Sequence, residues 1–144
     1  MPDWIQTGIN HYQKQLPSQL NFNLIALDAQ KRKGKNIEQI KELEAQILIK
    51  ACKGSNVVIA FDEKGKQHTT KSIANQLESW QQNGDNVSLI IGGADGLSAS
   101  IKQHANQLWG LSNLTLPHSM ARLLALEQIY RAHSLLNNHP YHRE

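Results

Sequence analysis

A chain of 144 residues, 40% hydrophobic and 19% charged, has the size and composition of one soluble globular domain, and no apolar run approaches the ~20 residues that span a bilayer. Its start, Met1-Pro2-Asp3-Trp4, has no basic stretch leading into an apolar one, so no export signal is visible and a cytoplasmic location is expected. The single cysteine, Cys52, excludes an internal disulfide and a Cys-paired zinc site, while a net charge of +3 favours a polyanionic partner without requiring one.

Helical and strand periods alternate along the chain. Pro2 and Asp3 suit a helix start, and Trp4, Ile5, Ile9, Tyr12 and Leu16 recur at helical spacing until Pro17 ends the segment. Asn21 to Leu27 reads as a strand, followed by the basic loop Lys31-Arg32-Lys33-Gly34-Lys35. A second helix, Ile37 to Cys52, gathers Ile37, Ile40, Leu43, Ile47, Leu48 and Ala51 on one face. There Cys52 reads as a buried, inert thiol.

Asn56 to Phe61 is an apolar, β-branched strand ending at Asp62, with Lys64-Gly65-Lys66 as a turn. The third helix runs from Thr70 to Gln82, carried by Ile73, Leu77 and Trp80 and closed by Asn83-Gly84. The strand Val87 to Ile91 then breaks into Gly92-Gly93-Ala94-Asp95-Gly96, and Ser98 caps a helix reaching about Gln107. A short strand, Leu111 to Leu116, and a long helix, Ser119 to Leu136, complete the order. Apolar strands separated by helices predict an α/β domain, a parallel sheet with helices on both faces. A chain that opens with an amphipathic helix leaves that helix in need of a surface to pack on.

Three loops follow predicted strands: Phe61-Asp62-Glu63, Gly92 to Gly96, and Leu116-Pro117-His118. Parallel neighbours bring such loops to one edge of the sheet, where α/β proteins bind ligands. The glycines read G-G-x-x-G, matching neither a dinucleotide fingerprint nor a P-loop. Ser119 reads as a helix cap, and Glu127 and Arg131 as a surface pair four residues apart. Arg122, near a helix start where a cation is mildly unfavourable, points to a ligand or partner chain.

The terminal segment Asn137-Asn138-His139-Pro140-Tyr141-His142-Arg143-Glu144 concentrates imidazole, phenol and guanidinium groups, the donors and stacking surfaces that RNA sites use. His139 and His142 are spaced H-x-x-H, but Pro140 interrupts any helix between them, and no metal site is expected.

The stretches VSLIIGGADGLS, WGLSNLTLPHSMAR with LALEQIYRA, and NHPYHRE resemble the signature stretches of the RlmH family. These are SPOUT-class methyltransferases that act on N3 of a pseudouridine in 23S ribosomal RNA of the large subunit. The resemblance extends over the whole chain, as one domain of residues 1–144. It implies a C-terminal trefoil knot over about 86–144, a homodimer, and S-adenosylmethionine as cofactor. Carried onto this sequence, the cofactor site comprises Phe61, Gly92, Leu111, Ser112, Asn113, Leu114, Thr115 and Leu116. Phe61 stands where relatives often have leucine.

The resemblance places the RNA chemistry on Tyr141, His142 and Arg143, with His118 as a second candidate base. Arg143 is expected to bind a phosphate or base oxygen, His142 to accept or orient the imino proton, and Tyr141 to position the tail or stack on the base. Family members carry a further strand ahead of the position matched by Met1, so a segment upstream of Met1 is expected. A noncatalytic, ribosome-associated RNA-binding dimer of the same fold is the competing reading, and a small α/β enzyme binding another nucleotide is a third.

Overall fold

A computed structural model describes residues 2–16, 22–26, 36–91 and 96–138. The elements are α1 (Asp3–Gln15), β1 (Phe22–Ala26), α2 (Ile37–Ala51), β2 (Val57–Gln67), α3 (Thr70–Asn83), β3 (Val87–Ile91), α4 (Ala99–His104), β4 (Gln107–Gly110) and α5 (His118–Leu136). Among the described residues the four strands form one sheet in the order β1-β3-β2-β4, with every neighbouring pair parallel. β3 lies inside the sheet, and all five of its residues are buried. This is why its sequence, VSLII, runs nearly continuously apolar instead of alternating.

The sheet is covered on both faces, as expected. Successive residues of a strand point to opposite sides. Ile59 and Leu89 accordingly pack with Ile73, Leu77 and Trp80 of α3 and Ile129 and Ala132 of α5. Val58, Ala60 and Ile90 pack on the other side with Ala45, Leu48, Cys52 and Ile101. Ser88, fully buried in β3, shares a hydroxyl hydrogen bond of 2.5 Å with Ser55, which satisfies a polar group that would be costly to bury alone. The leading helix finds its surface on α5: Ile5 and Ile9 cluster with Leu126, and Met120 and Leu123 pack alongside.

Helix ends follow their capping chemistry. Asn36 and Gln39 exchange side-chain and backbone bonds in a capping box at α2. Thr69 caps α3, and Gly84, at φ 67°, closes it in the left-handed conformation. Ser98 caps α4 as expected, accepting from the Ile101 amide.

Several predicted boundaries move. The strand Leu111 to Leu116 is instead a loop, and the fourth strand lies just before it at Gln107–Gly110. There Gln107, Leu108 and Trp109 pair with Ile59, Ala60 and Phe61, which also ends α4 at His104. β2 does not stop at Asp62. Phe61 and Lys66 both pair with Trp109, so residues 62–65 bulge out and the strand then resumes; the predicted turn is this bulge. Helix α5 starts at His118 behind Pro117, so Ser119 lies inside the first turn instead of capping it.

The apolar face assigned to α2 is also too wide. Ile40, Ala45 and Leu48 are buried, whereas Ile37, Leu43, Ile47 and Ala51 are exposed, as is Trp4 of α1.

Candidate functional site

At the carboxyl edge of the sheet, the bulge within β2, the end of β3 with the start of the segment leading to α4, and the loop between β4 and α5 enclose a cleft of about 170 Å³. Phe61, Asp62 and Glu63 form one wall, Ile91, Gly96 and Leu97 a second, and Leu111, Ser112, Leu114, Thr115, Leu116, His118 and Ala121 the third. Parallel strands release their chains at this one edge, which explains why three segments distant in sequence meet there.

The backbone of the cleft is held by two devices. In the first, Asp62 organises the bulge. One carboxylate oxygen accepts from the Lys64 amide at 3.1 Å, and the other lies 3.7 Å from the Lys102 ammonium of α4. In the second, two glycines let chain segments touch. A Cβ on Gly65 would sit 2.4 Å from the Trp109 carbonyl carbon and 2.8 Å from the Gly110 nitrogen. A Cβ on Gly110 would sit 2.8 Å from the Gly65 oxygen. Beyond this crossing, Ser112 Oγ accepts from the Leu114 amide at 3.0 Å, a local turn that shapes the third wall.

An aromatic stack supports the crossing from below. Trp109, 1% exposed, stacks on Trp80 at 5.8 Å and meets Phe61 edge-on at 6.0 Å. His68 lies 4.5 Å from the Trp109 ring, and its Nδ1 is 2.8 Å from Ser72 Oγ. Burial, aided by the nearby Lys66 ammonium, pushes the His68 pKa below its ordinary value and favours the neutral ring. The Cys52 thiol is pushed up by burial, against a bond to Ser88, so it stays protonated and unreactive.

Of the expected cofactor residues, Phe61, Leu111, Ser112, Leu114, Thr115 and Leu116 line the cleft, and His118 joins them. Asn113 is exposed and lies outside the lining. Gly92, Tyr141, His142 and Arg143, with the basic loop and the H-x-x-H pair, fall outside the described residues. Gly96 has a positive φ of 84°, the left-handed region that favours glycine. Sequence reasoning missed Ile91, Leu97 and Ala121; Ala121 was accessible as the residue about one helical turn after His118.

Arg122 is half-buried and not part of the lining, while Arg131 pairs with Glu127 at 2.8 Å as expected. Among the described residues no group of three or more His, Cys, Asp or Glu side chains is placed to hold a metal ion. No described helix is long and apolar enough to cross a membrane.

A parallel α/β sheet with a cleft at its carboxyl edge, one wall of which is the loop leading into the long helix α5, is consistent with the SPOUT methyltransferase class. The family model described as "Predicted SPOUT methyltransferase" matches residues 1–142, and the chain belongs to that family. It is 45% identical over 145 residues to "Ribosomal RNA large subunit methyltransferase H" of Methylobacillus flagellatus, a match covering 100% of this chain and 93% of that protein. A crystal structure of a methylase family protein from Neisseria gonorrhoeae is similar in fold, with a TM-score of 0.53 at 13% identity over 85% of this chain and 75% of that one.

Proposed function

We propose that this protein is an S-adenosylmethionine-dependent methyltransferase that methylates N3 of a pseudouridine in 23S ribosomal RNA, acting as a homodimer with its C-terminal region threaded as a trefoil knot. The observation that carries the reading is the 45% identity across the whole chain to a large-subunit rRNA methyltransferase. Membership of a methyltransferase family favours a catalyst over a noncatalytic RNA-binding dimer.

The cleft suits such a cofactor. Its described lining is largely apolar, offers Ser112 and Thr115 as polar handles, and holds two carboxylates, Asp62 and Glu63, but no lysine or arginine. Apolar walls accept an adenine ring, and carboxylates favour a sulfonium over its neutral product. Bound there, the cofactor supplies an activated methyl group. Phe61, Leu97, Leu111 and Leu116 would exclude water, while Ser112 and Thr115 would orient the polar groups of the ligand.

The protein's part in the reaction is to align the attacking nitrogen with the methyl carbon and to take up the imino proton as attack proceeds. In this reading Arg143 grips a phosphate or base oxygen, His142 accepts or orients the N3 proton, and Tyr141 positions the tail or stacks on the base. His118, in the cleft lining, is the second candidate base. Mass spectrometry of rRNA from a deletion strain, complemented with the wild type or with Arg143→Ala, tests the assignment. The pseudouridine should lose its methyl group on deletion, regain it with the wild type, and remain unmethylated with the variant. Methylation that persists after deletion would refute it.

A further inference from the structure

Exposed cations run from the bulge that closes the cleft, through the end of β2, into the first turn of α3. Lys64, Lys66 and Lys71 fall within eight residues of chain, and all three are exposed. Among the described residues none of them carries an ion pair, in contrast to Lys102, which faces Asp62.

Their positions are fixed by backbone geometry. The Lys64 amide is tied to Asp62, and its neighbours are Glu63, in the cleft wall, and Gly65, pressed on the Trp109 backbone. Lys66 is paired with Trp109 in the sheet. Lys71 stands in the first turn of α3, which contains no acidic residue. A cation there opposes the helix dipole, so helix stability does not account for it. Three exposed charges outside any described ion pair, held on ordered backbone where β2 ends and α3 begins, at the same carboxyl edge of the sheet as the cleft, are the electrostatic footprint of a polyanion passing over that edge.

We propose that Lys64, Lys66 and Lys71 form a phosphate-binding rim that seats the RNA backbone next to the cleft, in addition to any contact made by the C-terminal tail. The inference rests on the rRNA methyltransferase reading. Such contacts act through counterion release, so each one lost should flatten the salt dependence of binding by about one unit of the log–log slope.

The test measures methyl transfer to unmethylated large ribosomal subunits across a range of salt concentrations. It compares the full-length wild type, the triple variant K64A/K66A/K71A, the corresponding triple arginine variant, and K50A/K53A. Lys50 and Lys53 lie at the end of α2 and just before β2, which places them at the opposite edge of the sheet as the control for generic surface charge.

For the triple alanine variant, KM for subunits should rise about ten-fold or more near 0.1 M salt, and the slope should fall by about two to three. Its kcat and cofactor affinity should stay at wild-type values. Arginine should restore KM, and K50A/K53A should leave it unchanged. A triple variant with wild-type KM and slope, or a K50A/K53A variant equally impaired, would overturn the rim. A wild type that methylates no ribosomal RNA would instead remove the reading on which the rim rests.

Discussion

Replacing Gly65 with alanine inserts one methyl group where the bulge of β2 crosses β4. The new carbon would lie 2.4 Å from the Trp109 carbonyl carbon, 2.7 Å from its oxygen and 2.8 Å from the Gly110 nitrogen. All three obstacles are backbone, so no side-chain rotation relieves the overlap. Restoring an ordinary carbon–carbon contact of roughly 3.5 Å requires the two segments to part by about 1 Å. That strains the ladder between Lys66, Gln67 and Trp109, Gly110. Overpacking of this kind costs about 1–3 kcal/mol. With three rigid contacts the upper half of that range is expected, and at roughly 3–4 °C per kcal/mol for a domain of this size it lowers Tm by about 6–12 °C.

The displaced segment leads directly into the Leu111–Leu116 loop of the cleft, so cofactor affinity should also fall, by about ten-fold for each 1.4 kcal/mol transmitted. Thermal denaturation and calorimetric titration with S-adenosylmethionine read the two effects. Gly54→Ala is the control. Gly54 has φ +97°, and a Cβ added there would meet nothing within 4 Å, so the variant loses about 1–2 kcal/mol through backbone strain alone and leaves the distant cleft untouched. A Gly65→Ala protein that melts and binds like the wild type, or one no different from Gly54→Ala in both assays, refutes the crossing argument.

Gly8→Ala gives the opposite outcome from a superficially similar overlap. Its Cβ would meet Leu123 Cδ1 at 2.9 Å, but that is the tip of a flexible side chain, and alanine gains about 0.8–1 kcal/mol of helix propensity; urea unfolding should show a net change within about 1 kcal/mol. Ser112→Ala removes the acceptor for the Leu114 amide. It should weaken cofactor binding by about 1 kcal/mol, or roughly five-fold, with global stability nearly unchanged, and calorimetry beside a melting curve separates the two. His68, whose pKa is lowered mainly by burial, stabilises the fold while neutral. Its contribution is complete above the ordinary histidine value of about 6.5 and is lost as pH falls through the lower folded value. The urea midpoint should therefore drop more between pH 8 and pH 5 in the wild type than in His68→Phe, and equal drops would remove His68 as the cause.

The fold was legible where one periodicity dominated. The VSLII strand is apolar and buried throughout, and the Thr70–Asn83 helix buries a single face, so pattern and burial agree. The reading failed where tertiary pairing outranked local pattern. Leu111 to Leu116 combines three leucines with a β-branched Thr115, yet the strand is the shorter Gln107–Gly110, because its residues meet Ile59, Ala60 and Phe61 in register. Likewise Lys64-Gly65-Lys66 carries turn chemistry, and only the renewed pairing of Lys66 with Trp109 turns that local signal into a bulge within a longer strand.

That same substitution of pairing for pattern made most of the site readable and left its architecture hidden. Phe61, Leu111, Ser112, Leu114, Thr115 and Leu116, named from motif resemblance, all line the cleft, since a motif can be matched whatever the secondary structure of its residues. The contact between Gly65 and Gly110 carries no such mark. Two glycines 45 positions apart become neighbours only after β2 has bulged and resumed beside β4. Gly65 lies outside the left-handed region, so its glycine signals close approach and not a turn. The cleft depends on that approach: it draws the Asp62–Glu63 wall against the loop that follows Gly110, joining two walls that would otherwise belong to separate strands.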